Sequence, residues 1–186
     1  MRIKPVTRSL MCLAILVLMA VLAPSMAAAV DAREIDVSVN VAIEQFQQEV
    51  KGAKQFLAKA NGILIFPKVV KAGLGIGGEY GEGALRIGGK TVDYYSTAAA
   101  SIGFQLGVQK KSIIIVFLTK EALAKFRKSE GWKVGVDGSV ALIKVGAGGS
   151  IDTTNIKDPI VAFVFGQKGL MYNLTLEGSK LTKLDK

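Results

Sequence analysis

The sequence predicts an α+β domain in which N-terminal helices pack on a curved, glycine-rich, mainly antiparallel β-sheet. That sheet is a sandwich or a partly closed barrel, with one inserted helix. Three observations predict this. Apolar residues recur at helical spacing between Asp31 and Val50, the period switches to strands beyond Gly62, and the strands are joined by turns too short for crossover helices. The curvature comes from the 21 glycines, because glycine inside a strand marks a bulge, a tight bend or a close backbone approach.

Residues 1–29 read as a leader that precedes a single domain over 30–186. Arg2, Lys4 and Arg8 form a basic start, Leu10 to Leu22 is an uncharged apolar run, and Met26-Ala27-Ala28-Ala29 offers the small residues a signal peptidase reads. The run spans only about 20 Å as a helix, short of a ~30 Å hydrocarbon core, so cleavage is expected rather than a retained anchor. Cys12 opens the apolar run instead of ending it, which argues against a lipoprotein. Export, with the periplasm as destination, is the expected localisation. Loss of the leader removes three basic residues and no acid, taking the net charge from +9 to +6. The remaining chain has neither cysteine nor histidine. That excludes histidine-based nucleophile systems, histidine-ligated metals and disulfides. Its basic residues are 18 lysines and only Arg33, Arg86 and Arg127, a composition suited to diffuse attraction rather than bidentate recognition.

Element by element, Ile35, Val39, Ala42, Ile43, Phe46 and Val50 mark the first helix, with Asp31, Glu34 and Asp36 near its favourable N-terminus. Such a helix either lies on a membrane or packs on the sheet. The acids Glu34, Asp36, Glu44 and Glu49 favour packing, since anionic lipid would repel them. A shorter helix is expected over Ala53 to Ala60, stopped by Asn61-Gly62. Strands follow at Ile63–Phe66, Ala72–Tyr80, Gly83–Ile87, Thr91–Tyr95, Ser101–Gln109 and Ser112–Leu118, then Lys133–Asp137, Ser139–Val145, Ile160–Phe165 and Leu170–Leu176. Gly88-Gly89, Lys110-Lys111, Asp137-Gly138 and Gln167-Lys168-Gly169 read as turns. Thr119 can cap the inserted helix Lys120–Ser129, with Leu123 and Phe126 facing inward.

Several strings imitate catalytic motifs. Gly73 to Gly78 satisfies G-x-G-x-x-G, but a dinucleotide site needs a helix to begin there, and Glu79-Tyr80-Gly81-Glu82-Gly83 follows instead. Gly89-Lys90-Thr91 ends a near miss for a phosphate loop that a two-glycine hairpin explains fully. Glu79 and Glu82 could pair for glycoside hydrolysis, yet acids at a strand edge more often keep it soluble, and no tryptophan lies nearby. Asp152, Asn155 and Asp158 match no calcium loop and read as a turn. No catalytic residue, metal site or cofactor is assigned, and the chain is expected not to be an enzyme.

The lysines are the remaining signal. Lys68 and Lys71 flank an apolar segment, Lys110 and Lys111 are adjacent, and Lys128 and Lys133 bracket Trp132. These seven residues are the candidate contacts to an anionic lipid surface. Trp132 itself reads in two ways, as an interfacial anchor or as an ordinary core tryptophan beside a solvated face. Nucleic acid is disfavoured as a partner by export and by the scarcity of arginine.

Longer strings carry a family resemblance. The segment from Gly62 to Gly73, residues 75–83, Asp93 to Ser96 and Ser101 to Gly107 resemble the SYLF domain family, also called Ysc84-like. Phe126, Gly131-Trp132, Gly135 to Ser139 and Gly169 to Gly178 continue the likeness, which runs from about residue 34 to 184 and is nearest to the exported bacterial branch. The resemblance implies binding of lipid or membrane surfaces, phosphoinositide-type in the relatives that carry SH3 or FYVE modules, and it implies no catalytic motif. The fungal branch is associated with actin. An envelope protein-interaction module without lipid specificity is the alternative.

Overall fold

The computed structural model describes residues 31–144, 156, 158–168, 176 and 178–186, with backbone alone at 74, 75, 101–106 and 144. The leader over 1–29, the turn residues Asp152 and Asn155, and the expected strand Leu170–Leu176 except its last residue lie outside the described residues.

Helix α1, Ala32–Glu49, buries Ile35, Val39, Ala42 and Phe46, spaced four, three and four apart so that they form one stripe. That stripe packs on the sheet, as the acids on the other face anticipate. Phe46 meets the rings of Phe163 and Phe165 at 5.1 Å each. Helix α2, Ala53–Leu57, is shorter than expected and adds Phe56 against Phe163 at 5.3 Å.

The sheet is built on two long strands, β1 (Gly62–Ile87) and β2 (Lys90–Phe117), paired antiparallel along their length. Gly88 and Gly89, with φ of 58° and 80°, form the two-residue turn between them, a conformation that glycine adopts without steric cost. Three expected strands thus merge into β1 and three into β2. Pro67 does not end β1, because the ladder shifts register between Phe66 and Val69, where a missing N–H is tolerated.

The ribbon folds over on itself. A methyl group at Gly81 would stand 2.8 Å from the Lys68 carbonyl oxygen, and one at Gly83 would collide with the carbonyl oxygen of Ile65. Backbone therefore meets backbone where the C-terminal part of β1 crosses its N-terminal part. The glycine-rich sequence allows a curled, mostly antiparallel half-barrel.

Helix α3, Lys120–Lys128, follows β2; the Thr119 hydroxyl accepts from the Ala122 amide at 3.2 Å, the expected cap. Strands β3 (Trp132–Lys133), β4 (Ala141–Lys144), β5 (Ile160–Lys168) and β6 (Lys180–Leu184) complete, among the described residues, a six-stranded sheet in the order β3-β6-β2-β5-β4, with β1 also on β2. Among the described strands only β4 and β5 run parallel. The strand expected over Lys133–Asp137 shrinks to two residues because Gly135, at φ 82°, turns the chain, and the Asp137 carboxylate accepts from the Lys133 amide at 2.6 Å. Two cores result. Leu64, Phe66, Leu85, Ile115 and Phe117 pack with Phe126 and Trp132 on one face, while Ile65, Ile114, Val116 and Phe163 pack under α1 and α2 on the other.

Candidate anion-binding surface

Strand alternation divides the seven candidate residues. Lys110 and Lys111 lie within β2 and not at a hairpin tip, so their side chains leave opposite faces of the ribbon. Lys110 is exposed and Lys111 is buried. Lys111 donates to Glu79 Oε2 at 2.7 Å, and Lys71, 6% exposed, is buried as well. Trp132 is 2% exposed and packs edge-to-face on Phe126 at 5.7 Å. It is a core residue, so the second of the two readings its sequence allowed is the one the fold adopts.

The exposed lysines form two groups. In the first, Lys110 stands directly opposite Val70 on β1 and Lys168 on β5, and exposed Lys68 lies two residues before Val70 on β1. Lys168 escaped the sequence reading because Gln167-Lys168-Gly169 resembles a turn, whereas β5 runs on through Lys168. Uncovered apolar side chains lie on the same ribbon: Val108 is 57% and Ile76 75% exposed. In the second group, exposed Lys133 on β3 faces Lys180 on β6, and Lys128 ends α3. Val136 projects from the adjoining turn. Like charges directly opposite across a ladder repel, at a cost of a few tenths of a kcal/mol or more. A bound anion would relieve that repulsion. Strand β5 pairs with the second part of β2 and β6 with the first, so the groups occupy different stretches of that strand.

The carboxylates that imitated a catalytic pair are separately engaged. Glu79 holds Lys111, while Glu82 accepts from the Tyr80 hydroxyl and from Lys186, each at 2.8 Å. Burial, and then the hydrogen bond to Glu82, push the Tyr80 hydroxyl up to about 12. The glycines of 73–78 lie inside β1 with no helix beginning there, and Gly89-Lys90-Thr91 is the hairpin turn and its exit. Among the described residues, no three acidic side chains gather as a metal-ion site.

Residues 98–186 match the model of the Ysc84 family, described as a Las17-binding protein actin regulator. No curated protein matches the chain. The match takes in most of β2, with Lys110 and Lys111, and every element after it. Over residues 98–186, a little under half of its length, the chain is similar to the Ysc84 (SYLF) family.

Proposed function

We propose that this protein is an exported, non-catalytic binding domain that engages anionic lipid head groups at a membrane surface. The observation that carries the reading is the row of Lys68, Lys110 and Lys168 on three adjacent strands, with exposed Val108 two residues from Lys110 on β2 and exposed Ile76 farther along the same ribbon. Lysines supply diffuse attraction worth about 1 kcal/mol each near an anionic surface, and the apolar side chains supply shallow insertion. The family match over residues 98–186 supports it, since the resemblance implies lipid-surface binding. An actin partner is not part of this reading, because the leader would carry the chain out of the cytoplasm. No helix among the described residues is long and apolar enough to cross a membrane.

Co-sedimentation with vesicles tests the proposal. Recovery should rise with the anionic lipid fraction and fall with salt, as screened charges require. Loss of two surface lysines, about 2 kcal/mol, should weaken binding about thirtyfold in the K110A/K168A variant. Equal recovery on neutral and anionic vesicles would sink the electrostatic reading and leave the envelope protein-interaction module.

A further inference from the structure

A cavity of about 450 Å³ opens between α1, α2 and the turn joining β1 to β2. Its walls are mostly apolar, with Ile43 from α1, Leu57 from α2 and Ile63 from the start of β1, and Gln47 of α1 adds an uncharged polar side chain. Its charged lining is purely cationic, consisting of Lys54 and Arg86.

The state of Arg86 distinguishes this cavity from an ordinary packing gap. One terminal nitrogen donates to Asn40 Oδ1 at 2.6 Å and the other to the Asp36 backbone oxygen at 3.4 Å, both neutral acceptors. Its Nε is buried with no hydrogen-bond partner. The Asp36 carboxylate is committed elsewhere, accepting from the Thr91 hydroxyl at 2.7 Å and the Tyr94 hydroxyl at 3.0 Å. Among the described residues Arg86 forms no ion pair. A partly buried guanidinium with an unsatisfied N–H is costly unless a counter-charge reaches it. A mostly apolar cavity with such a group in its wall fits a ligand with a single anionic head and an apolar tail. The volume equals that of about fifteen liquid waters at ~30 Å³ each, room for a head group and a chain of about ten carbons.

We propose that this cavity binds a medium-chain fatty-acid anion, its carboxylate held by Arg86 and Lys54 and its chain lying along Ile43, Leu57 and Ile63. The site uses none of the lysines on β1, β2 and β5 and does not rest on the membrane-surface reading.

Isothermal titration of the leaderless protein with decanoate, below its micelle concentration, tests the proposal. Saturable one-to-one binding is expected, with decanol and decyltrimethylammonium at least tenfold weaker. Ala58 and Lys54 are both exposed lining residues, so changes there should leave the fold intact by circular dichroism. Ala58→Trp should fill the cavity and abolish the heat, and Lys54→Glu should weaken decanoate at least tenfold. K110A/K168A should bind decanoate normally while losing vesicles, which separates the two proposals. Equal affinity for decanoate and decanol, or wild-type binding by Ala58→Trp, would overturn the assignment.

Discussion

Lys111 and Glu79 form an ion pair at 2.7 Å with only 2% and 6% of their side chains exposed. They are not ladder partners: Lys111 lies opposite Val69, and Glu79 opposite Ala99. The pair closes because the ribbon folds over, bringing the second part of β2 to the C-terminal part of β1. Removing one partner strands the other charge in the interior, at a cost of about 3–5 kcal/mol. Lys111→Met and Glu79→Leu should therefore each lower the urea midpoint sharply, while the double variant recovers most of the loss. A double variant as unstable as the sum of the singles would show that the pair is not coupled.

The same fold-over makes two glycines opposite in their tolerance. At Gly83 a Cβ would strike the Ile65 carbonyl, which is backbone and cannot rotate away. Gly83→Ala should cost about 3 kcal/mol or more, as overpacking against rigid atoms does. Nothing lies within 4 Å of a Cβ at Gly78, so Gly78→Ala should stay within about 1 kcal/mol of the parent or gain stability from lost chain entropy. Thermal melts of the two variants decide it.

Local signals were legible and non-local ones were not. The stripe of α1, the Thr119 cap and the Gly88-Gly89 turn depend on residues a few positions apart, and each stands where the sequence places it. Lys110-Lys111 misleads because two adjacent lysines look solvated. Only Glu79, 32 residues away, permits one of them to be buried. Strand β6 passes as a polar tail, since Lys180 to Leu184 has little alternation beyond Leu181, which is 2% exposed and packs with the Phe126 and Trp132 core. The fusion of six short strands into two long ones depends on a bulge that accommodates Pro67 and on a partner strand that spans the gaps. The candidate surface was half legible: Lys68 and Lys110 are in place, but Lys168 joins them only through the β2–β5 register.

The tyrosines set an alkaline limit to stability. Burial raises the Tyr95 hydroxyl to about 12, with the nearby Asp93 charge adding to the effect, and Tyr80 reaches a similar value. Both lie above the unfolded value near 10. The native state thus keeps protons that the unfolded chain gives up, so the contribution is complete below pH 10 and is lost as the pH rises towards 12. Denaturation midpoints should hold steady up to about pH 10 and fall beyond it. Tyr95→Phe should flatten that fall, and an unchanged slope would exclude Tyr95 as its source.

Trp132 reports on whether membrane binding disturbs the core. Its ring sits against Phe126, and a methyl at Gly138 would come within 2.7 Å of it, so the seat is full. Emission should already be blue-shifted in buffer and resist aqueous quenchers, because the indole is out of water. Anionic vesicles should leave that emission unchanged even while the protein sediments with them, since the indole is buried against Phe126 and the row that carries the proposal, Lys68, Lys110 and Lys168, lies on β1, β2 and β5. Trp132→Ala should cost about 3–5 kcal/mol, a folding defect rather than a selective loss of lipid affinity. A further spectral shift on vesicles would mean that the face covered by α3 opens at the membrane, and the rigid-surface account of binding would fall.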